Sequence, residues 1–483
     1  MVLKGGAYVK SLGLRNRDKP IFTLPVPASR IYIVTDPSLA AAVQRASKAL
    51  SFTPLVPDIT RRVLGLDAAA ADALRQNIDP EPGDPRGFLA DMHDMVYGFL
   101  GPGEDLDALT LDAAAELAAQ VNTYAEEARG RLPDGEVVDL LSWVRHFVTV
   151  GTARFLYGQE NPLALHPELE QAFWDFDHGL GGLLMGVLPS VTARKPYKRR
   201  EAIVAAFTEY LEAGVHLEAS RIVRNRVEIA ERYGWPPSRT ARSELSFLFA
   251  GIVNTATATF WTVLRVFADR ALLQAVRAEL GAAATAGKGE EGGSSGGDDR
   301  NHLLLSVQAV RAGCPTLHAV LRECLRLGSD NFSTRLVKAD TLLAERYFLR
   351  QGSVVQIAGG VIHADRSLWG DDAEEFNPRR FLEEEDGGGK RRRKEHPAAF
   401  RAFGGGKTLC PGRHFATAEI MAFVAMIVLM FDPEAPDGGK IGVPNKDDHV
   451  LPVHILEPKA KDAVRVRIRV RGVDETRHVK VIQ

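Results

Sequence analysis

Residues 245–264 read LSFLFAGIVNTATATFWTVL, a stretch without a formal charge. About 20 such residues are enough to cross a bilayer as a helix, so the segment must either span a membrane or be enclosed by a large protein interior. Asn254, Thr255, Thr257, Thr259 and Thr262 place polar groups across its middle and far end. Lipid offers such groups no partners, whereas a protein interior does. The expected outcome is a buried helix of a large soluble domain. With 483 residues the chain exceeds the roughly 250–300 at which one core usually stops growing, which predicts a large domain with two lobes, or two domains, with room in either case for a deep interior site.

Charged residues make up 25% of the chain and the formal net charge is -2, an ordinary globular balance that predicts no nucleic-acid partner. Three cysteines, Cys314, Cys324 and Cys410, cannot all pair with one another, and no CxxC spacing offers a zinc site. A reducing environment is therefore expected, with Cys314 and Cys324 as small core residues. The opening residues contain no long apolar run and no signal-peptide pattern, so no amino-terminal anchor helix is expected within this sequence.

KPIFTLPVPASRIYIVT, near the start, has the β-branched and proline-punctuated pattern of a short hairpin. From about Pro37 to Leu280 alanine-rich amphipathic segments predict helices. GKGEEGGSSGGDD, Gly287 to Asp299, has the composition of a flexible surface loop. A further helical stretch through Leu327 is expected to give way to extended segments in YFLRQGSVVQIAGGVIH. VRVRIRVRG, Val464 to Gly472, alternates with period two, as a strand with one basic face does. A charged insertion, GGGKRRRKEH, reads as a solvated loop, with docking of an acidic partner protein as the other reading. DHGLGGLLMGVLPSVTARKPYKRR, Asp177 to Arg200, is apolar and then basic, which suits either packing between helices or an access channel on a membrane surface.

FRAFGGGKTLCPGRHFA, Phe400 to Ala416, carries the chemistry. GGGKT resembles the end of a phosphate-binding loop, yet that pattern needs a glycine where Arg401 stands, and Leu-Cys-Pro-Gly follows in place of an uninterrupted helix. A metal-bound Cys410 explains more. A thiolate needs its charge neutralised, which a metal and a helix amino terminus do together. Glycines 404 to 406 would let backbone pass close to a flat porphyrin, and Pro411 suits a first helical position.

Phe403, Gly406, Cys410 and Gly412 match F-x-x-G-x-x-x-C-x-G, and in this the chain resembles the cytochrome P450 family. The resemblance implies a mainly α fold, a large helical lobe with a minor β lobe and a buried heme, formed by residues 1–483 as one domain with insertions near 286–300 and 385–396. It implies heme b with Cys410 as the thiolate ligand of iron, Phe403 beside the sulfur, and Gly406 and Gly412 in the same loop. Glu323 and Arg326 in RECLR, with Arg380 in FNPRRF, correspond to a buried charge network that holds the fold. Gly251, Asn254 and Thr255 correspond to the element that crosses the distal heme face, Gly251 leaving room for dioxygen and Thr255 relaying protons. Asn254 stands where an acid is usual, and Ile252 where a second glycine would be. An amide cannot exchange the proton a carboxylate can. Arg335 and His93 are the expected partners of heme propionates, since Thr408 replaces the usual arginine or histidine and no W-x-x-x-R is present.

The Asn-Thr form resembles the branch holding the sterol 7α- and 12α-hydroxylases, prostacyclin synthase and their fungal relatives. That branch implies a monooxygenase acting with O2 on an apolar small molecule such as a sterol or other lipid. With no flavin domain, electrons would come from a separate NADPH-dependent reductase, and the basic insertion is a candidate docking surface. A reductase-independent isomerase or dehydratase acting on lipid peroxides, and a non-enzymatic heme-binding protein, remain as alternatives. A monomer with peripheral contact to the cytoplasmic side of the endoplasmic reticulum membrane is the expected setting.

Overall fold

The structure, a computed structural model, describes residues 5–26, 29–131, 135–286, 302–382, 384–386, 389–391, 396–450, 452–472 and 478–482. The Gly287–Asp299 loop of the sequence reading lies outside these, as does part of the 385–396 insertion. The fold is mainly α, a large helical lobe beside a minor β lobe.

Six helices position the site: α1 (Phe88–Phe99), α2 (Leu140–Tyr157), α3 (Glu168–His178), α4 (Pro237–Ala268), α5 (Pro315–Gly328) and α6 (Arg413–Met430). α4 contains the uncharged stretch and packs against α2, α5 and α6. α4 and α6 are both long and apolar enough to cross a membrane, and both have most of their apolar length buried inside the protein. The polar groups of α4 are accommodated locally: Thr257 donates to the Val253 carbonyl and Thr262 to that of Ala258. A hydroxyl that bonds back one turn can sit in an apolar interior without an orphaned donor. Around these helices Phe147, Phe260, Phe423 and Phe431 belong to one continuous core.

The minor lobe begins with the expected hairpin, Ile21–Val26 against Ser29–Val34. Val354–Ala358 extends it in parallel, and Phe332–Val337 and Leu50–Ser51 complete five strands. Val34, Val355 and Ile357 of this sheet share a small core with Leu39 and Ile362. Arg465–Val470 lies between Phe431–Glu434 and Glu136–Asp139, with Val466 and Ile468 turned inward as the period-two pattern requires.

Three expectations change. His302–Ser306, expected to be helical, is a strand that pairs in parallel with His478–Ile482; Leu-Leu-Leu can serve either period, and tertiary pairing decides. Gly359–His363, at the end of a segment expected to be extended, turns into a short helix that buries His363. The basic insertion, expected to be an unstructured loop, contains an antiparallel pair, Glu384–Asp386 with Gly389–Arg391.

Candidate active site

Cys410 sits in a loop closed on itself before α6. Its N–H donates to the Phe403 carbonyl at 2.8 Å, Leu409 N donates to Gly406 O at 3.0 Å, and Gly404 N to Arg401 O at 3.0 Å. Gly404 and Gly406 adopt φ of 74° and 62°, a left-handed backbone that favours glycine. A steric reason for two of the glycines lies within the protein itself. A Cβ at Gly404 would lie 2.8 Å from the Thr408 carbonyl, and one at Gly405 would collide with Gln44 and Arg401. Pro411 is not the first helical residue. α6 begins at Arg413 with Gly412 as its cap, so Pro411 precedes the cap and helps form the turn.

The thiol is mostly buried, and burial pushes its pKa up; the Gly412 N–H, bonded to the sulfur, and the Arg413 charge act in the opposite direction. Arg413 also donates to the Cys410 carbonyl at 3.1 Å. Cys314 and Cys324 are buried thiols raised to about 12, chiefly by burial, which suits core residues.

Two arginines flank this loop. Arg335 donates to Thr408 Oγ1 at 2.6 Å, to Gly405 O at 3.3 Å and to Thr334 O at 2.7 Å. Arg401 donates to Ser333 Oγ at 3.3 Å, and Gln44, with its amide oxygen turned toward it, accepts from both terminal nitrogens. Both guanidinium groups are buried, and neither has a carboxylate partner among the described residues. Burial, and then the neighbouring Arg335 charge, lower Arg401 to about 10. It stays charged at neutral pH all the same. Two adjacent buried cations without an anion are costly, and a group bringing two carboxylates would relieve both.

α1 reaches the same loop through Tyr97, whose hydroxyl donates to the Leu409 carbonyl. His93 is half exposed, lies 3.1 Å from Asp94 Oδ1 and stacks on Tyr97 with ring centroids 4.1 Å apart. Through Tyr97 it is linked to the loop, and no hydrogen bond joins it to the loop directly among the described residues. Sequence reasoning passed over Tyr97 and Arg401. A usable signal for the first was H-x-x-x-Y, which has the spacing of the missing W-x-x-x-R and so shares one helix face.

Glu323, Arg326 and Arg380 come together as a separate, closed network. Arg326 donates to both Glu323 oxygens at 2.7 Å, and Arg380 Nε to Oε1 at 3.0 Å. Asn377 N adds a further donor to Oε1, while Arg326 also binds the His363 and Ala373 carbonyls.

On α4, Thr255 is buried and Asn254 exposed. Asn254 Oδ1 accepts from Ile455 N at 2.9 Å, and about two turns on Trp261 Nε1 donates to Leu456 O at 2.8 Å. Gly251 faces α2: a Cβ there would lie 3.1 Å from Thr152 Cγ2. Helix packing is thus one reason for a small residue here, beside the ligand space that the sequence reading assigned to it. No hydrogen bond joins Thr255 to the cysteine loop among the described residues.

A family model described as Cytochrome P450 matches residues 239–460, which contain the cysteine loop, the charge network and most of α4. The cytochrome P450 monooxygenase nodJ of Hypoxylon pulicicidum is 31% identical over 458 residues, covering 94% of this chain and 84% of the relative. The chain belongs to the cytochrome P450 family. As such it is an oxidoreductase of the monooxygenase type. A cytochrome P450 monooxygenase of Gibberella zeae is 28% identical over 428 residues, 87% of this chain and 76% of the relative. Cholesterol 7-alpha-monooxygenase of Cricetulus griseus is 26% identical over 294 residues, covering 59% and 56%. This cytochrome P450 is thus related to fungal monooxygenases and, more distantly, to a sterol hydroxylase.

Proposed function

We propose that this cytochrome P450 binds heme b through Cys410 and oxygenates an apolar small molecule, a sterol or other lipid, with O2 and electrons from a separate NADPH-dependent reductase. The observation that carries the reading is the pairing of a partly buried thiol, which already receives the Gly412 N–H, with two buried guanidinium groups that lack any carboxylate among the described residues. That donor set fits heme, whose iron takes a thiolate and whose two propionates supply the missing anions. Bound there, heme supplies the activation and reductive cleavage of dioxygen, one atom going to substrate and the other to water.

The chain's own residues then have separate tasks. Gly412 N–H withdraws charge from the sulfur, and Arg335 and Arg401 hold the carboxylates. The Thr255 hydroxyl, free of a bond to its own helix among the described residues, can accept and pass on a proton. Asn254 has its oxygen committed to Ile455 N, so it positions the Ile455–Leu456 segment and takes no part in proton transfer. Phe403, Gly406 and Gly412 shape the loop. Glu323, Arg326 and Arg380 hold the fold, and residues 1–483 act as one domain.

Met185, Val187, Leu188 and Val191 are each more than half exposed and precede the basic run Arg194–Arg200. An apolar tip with a basic border suits contact with a membrane surface, consistent with a monomer working at the cytoplasmic face of the endoplasmic reticulum membrane.

The test is an absorbance spectrum of the reduced protein under carbon monoxide. Wild type should show a strongly red-shifted Soret band and Cys410→Ala should not; the same band in both would overturn the assignment. Turnover of candidate lipids with reductase and NADPH, set against lipid hydroperoxides alone, separates oxygenation from isomerisation.

A further inference from the structure

The segment that Asn254 and Trp261 hold to α4 carries a second polar cluster, away from Cys410. His454 and Glu457 lie on it, facing Asp177 and His178 at the end of α3, and all four line one cavity of about 600 Å3. His454 Nε2 is 3.3 Å from Asp177 Oδ1, and His178 Nε2 is 3.2 Å from Glu457 Oε2. The ligand atoms of Asp177, His178 and Glu457 all lie within 4.8 Å of one another.

One group in this cluster is poorly satisfied. Asp177 is 2% exposed, and its close partner, His454 Nε2 at 3.3 Å, does not reach it with hydrogen-bond geometry among the described residues. His178 Nε2 faces the Glu457 carboxylate, whose other oxygen accepts from Arg145 Nη2. The cavity is also acid-rich, with Asp139, Asp177, Asp447 and Glu457 against Arg145 and Lys459.

We propose that Asp177, His178, His454 and Glu457 form a binding site for a divalent transition-metal ion, with zinc as the ion the donor set fits. Two imidazoles and two carboxylates match the ligand types of zinc. Bonds of about 2.0–2.1 Å in tetrahedral geometry place neighbouring donor atoms about 3.3 Å apart, and two of the required edges already have that length. The ion takes the Asp177 charge and a lone pair from His178, which satisfies the buried carboxylate. Arg145, bonded to the other Glu457 oxygen and lying over Trp174, stays as the outer partner that orients the carboxylate. Zinc here fastens the end of α3 to the Ile455–Leu456 segment.

The test is calorimetric titration of chelator-stripped, full-length holoprotein with Zn2+. Wild type should bind one equivalent. His178→Ala, at a half-exposed side chain, should weaken binding by more than about tenfold with an unchanged circular dichroism spectrum, and Asp177→Asn should do the same if it folds. His146→Ala, whose ring pairs with Glu170, should bind as wild type. Absence of saturable binding, or one-to-one binding that survives His178→Ala, overturns the site; the latter would mark adventitious surface binding. None of these readouts depends on turnover or on the identity of the iron ligand.

Discussion

Two buried charge clusters lie close together in the chain and differ in one respect. Around Glu323, every charge has a partner: the carboxylate serves two guanidinium groups and a backbone N–H, and the arginines spend their remaining donors on carbonyls. Around Arg335 and Arg401, two cations share only neutral acceptors among the described residues. The first cluster is complete among these residues. The second lacks an anion among them, and on the proposed reading heme supplies it, which would distinguish a scaffold from a binding site made of the same residue type.

The largest effect should come from opening the closed cluster. Glu323→Gln leaves Arg326 and Arg380 facing a neutral amide and should destabilise the protein by about 3–5 kcal/mol, read as a shift in the denaturant midpoint. A loss below about 1 kcal/mol would mean that the network is dispensable.

Glu419 sharpens the comparison from the other side. It is a carboxyl on α6, 2% exposed, with one oxygen unpartnered, and burial raises it to about 8. Glutamic acid can escape an unpaired site by keeping its proton; arginine cannot. Because the folded pKa lies above the unfolded one, this group's stabilisation is full below about pH 4.5 and is lost as pH rises through about 8. Between pH 5 and 7 the loss should amount to about 2–3 kcal/mol. Glu419→Gln should flatten that slope in unfolding curves taken at several pH values; an unchanged slope would assign it to other groups.

Arg335→Gln and Arg401→Gln should behave unlike Glu323→Gln. The heme-free protein should be no less stable, since an unpaired cation has been removed. Heme should leave about ten to a hundred times faster, as expected for losing a charge-assisted bond of about 1.5–3 kcal/mol, measured by transfer to excess apomyoglobin. If the heme-free form is destabilised as strongly as in Glu323→Gln, the contrast between the clusters fails.

The smallest effect belongs to Asn254. Asn254→Ala orphans Ile455 N–H and should cost about 1–2 kcal/mol, whereas Asn254→Asp keeps an acceptor there. Both should be compared by unfolding and by coupling of NADPH use to product. If Asn254→Ala leaves stability untouched and only coupling falls, the residue relays protons after all.

What could be read from the sequence was set by local spacing. Cys410 and its glycines lie within one turn of chain, Glu323 and Arg326 are three apart on one helix, and the uncharged run of α4 carries its own threonines. The partners were hidden because folding brings them from elsewhere: Gln44 to Arg401, Ile455 to Asn254, Tyr97 to Leu409. The close approach of α2 to Gly251 is likewise a fact of helix packing that no spacing within α4 records.

The pairing of Glu136–Asp139 with Arg465–Val470 joins stretches more than three hundred residues apart, and that of His302–Ser306 with His478–Ile482 spans well over a hundred. Closing loops of that size costs chain entropy before any contact rewards it, so these ladders should be among the last parts of the molecule to assemble during refolding.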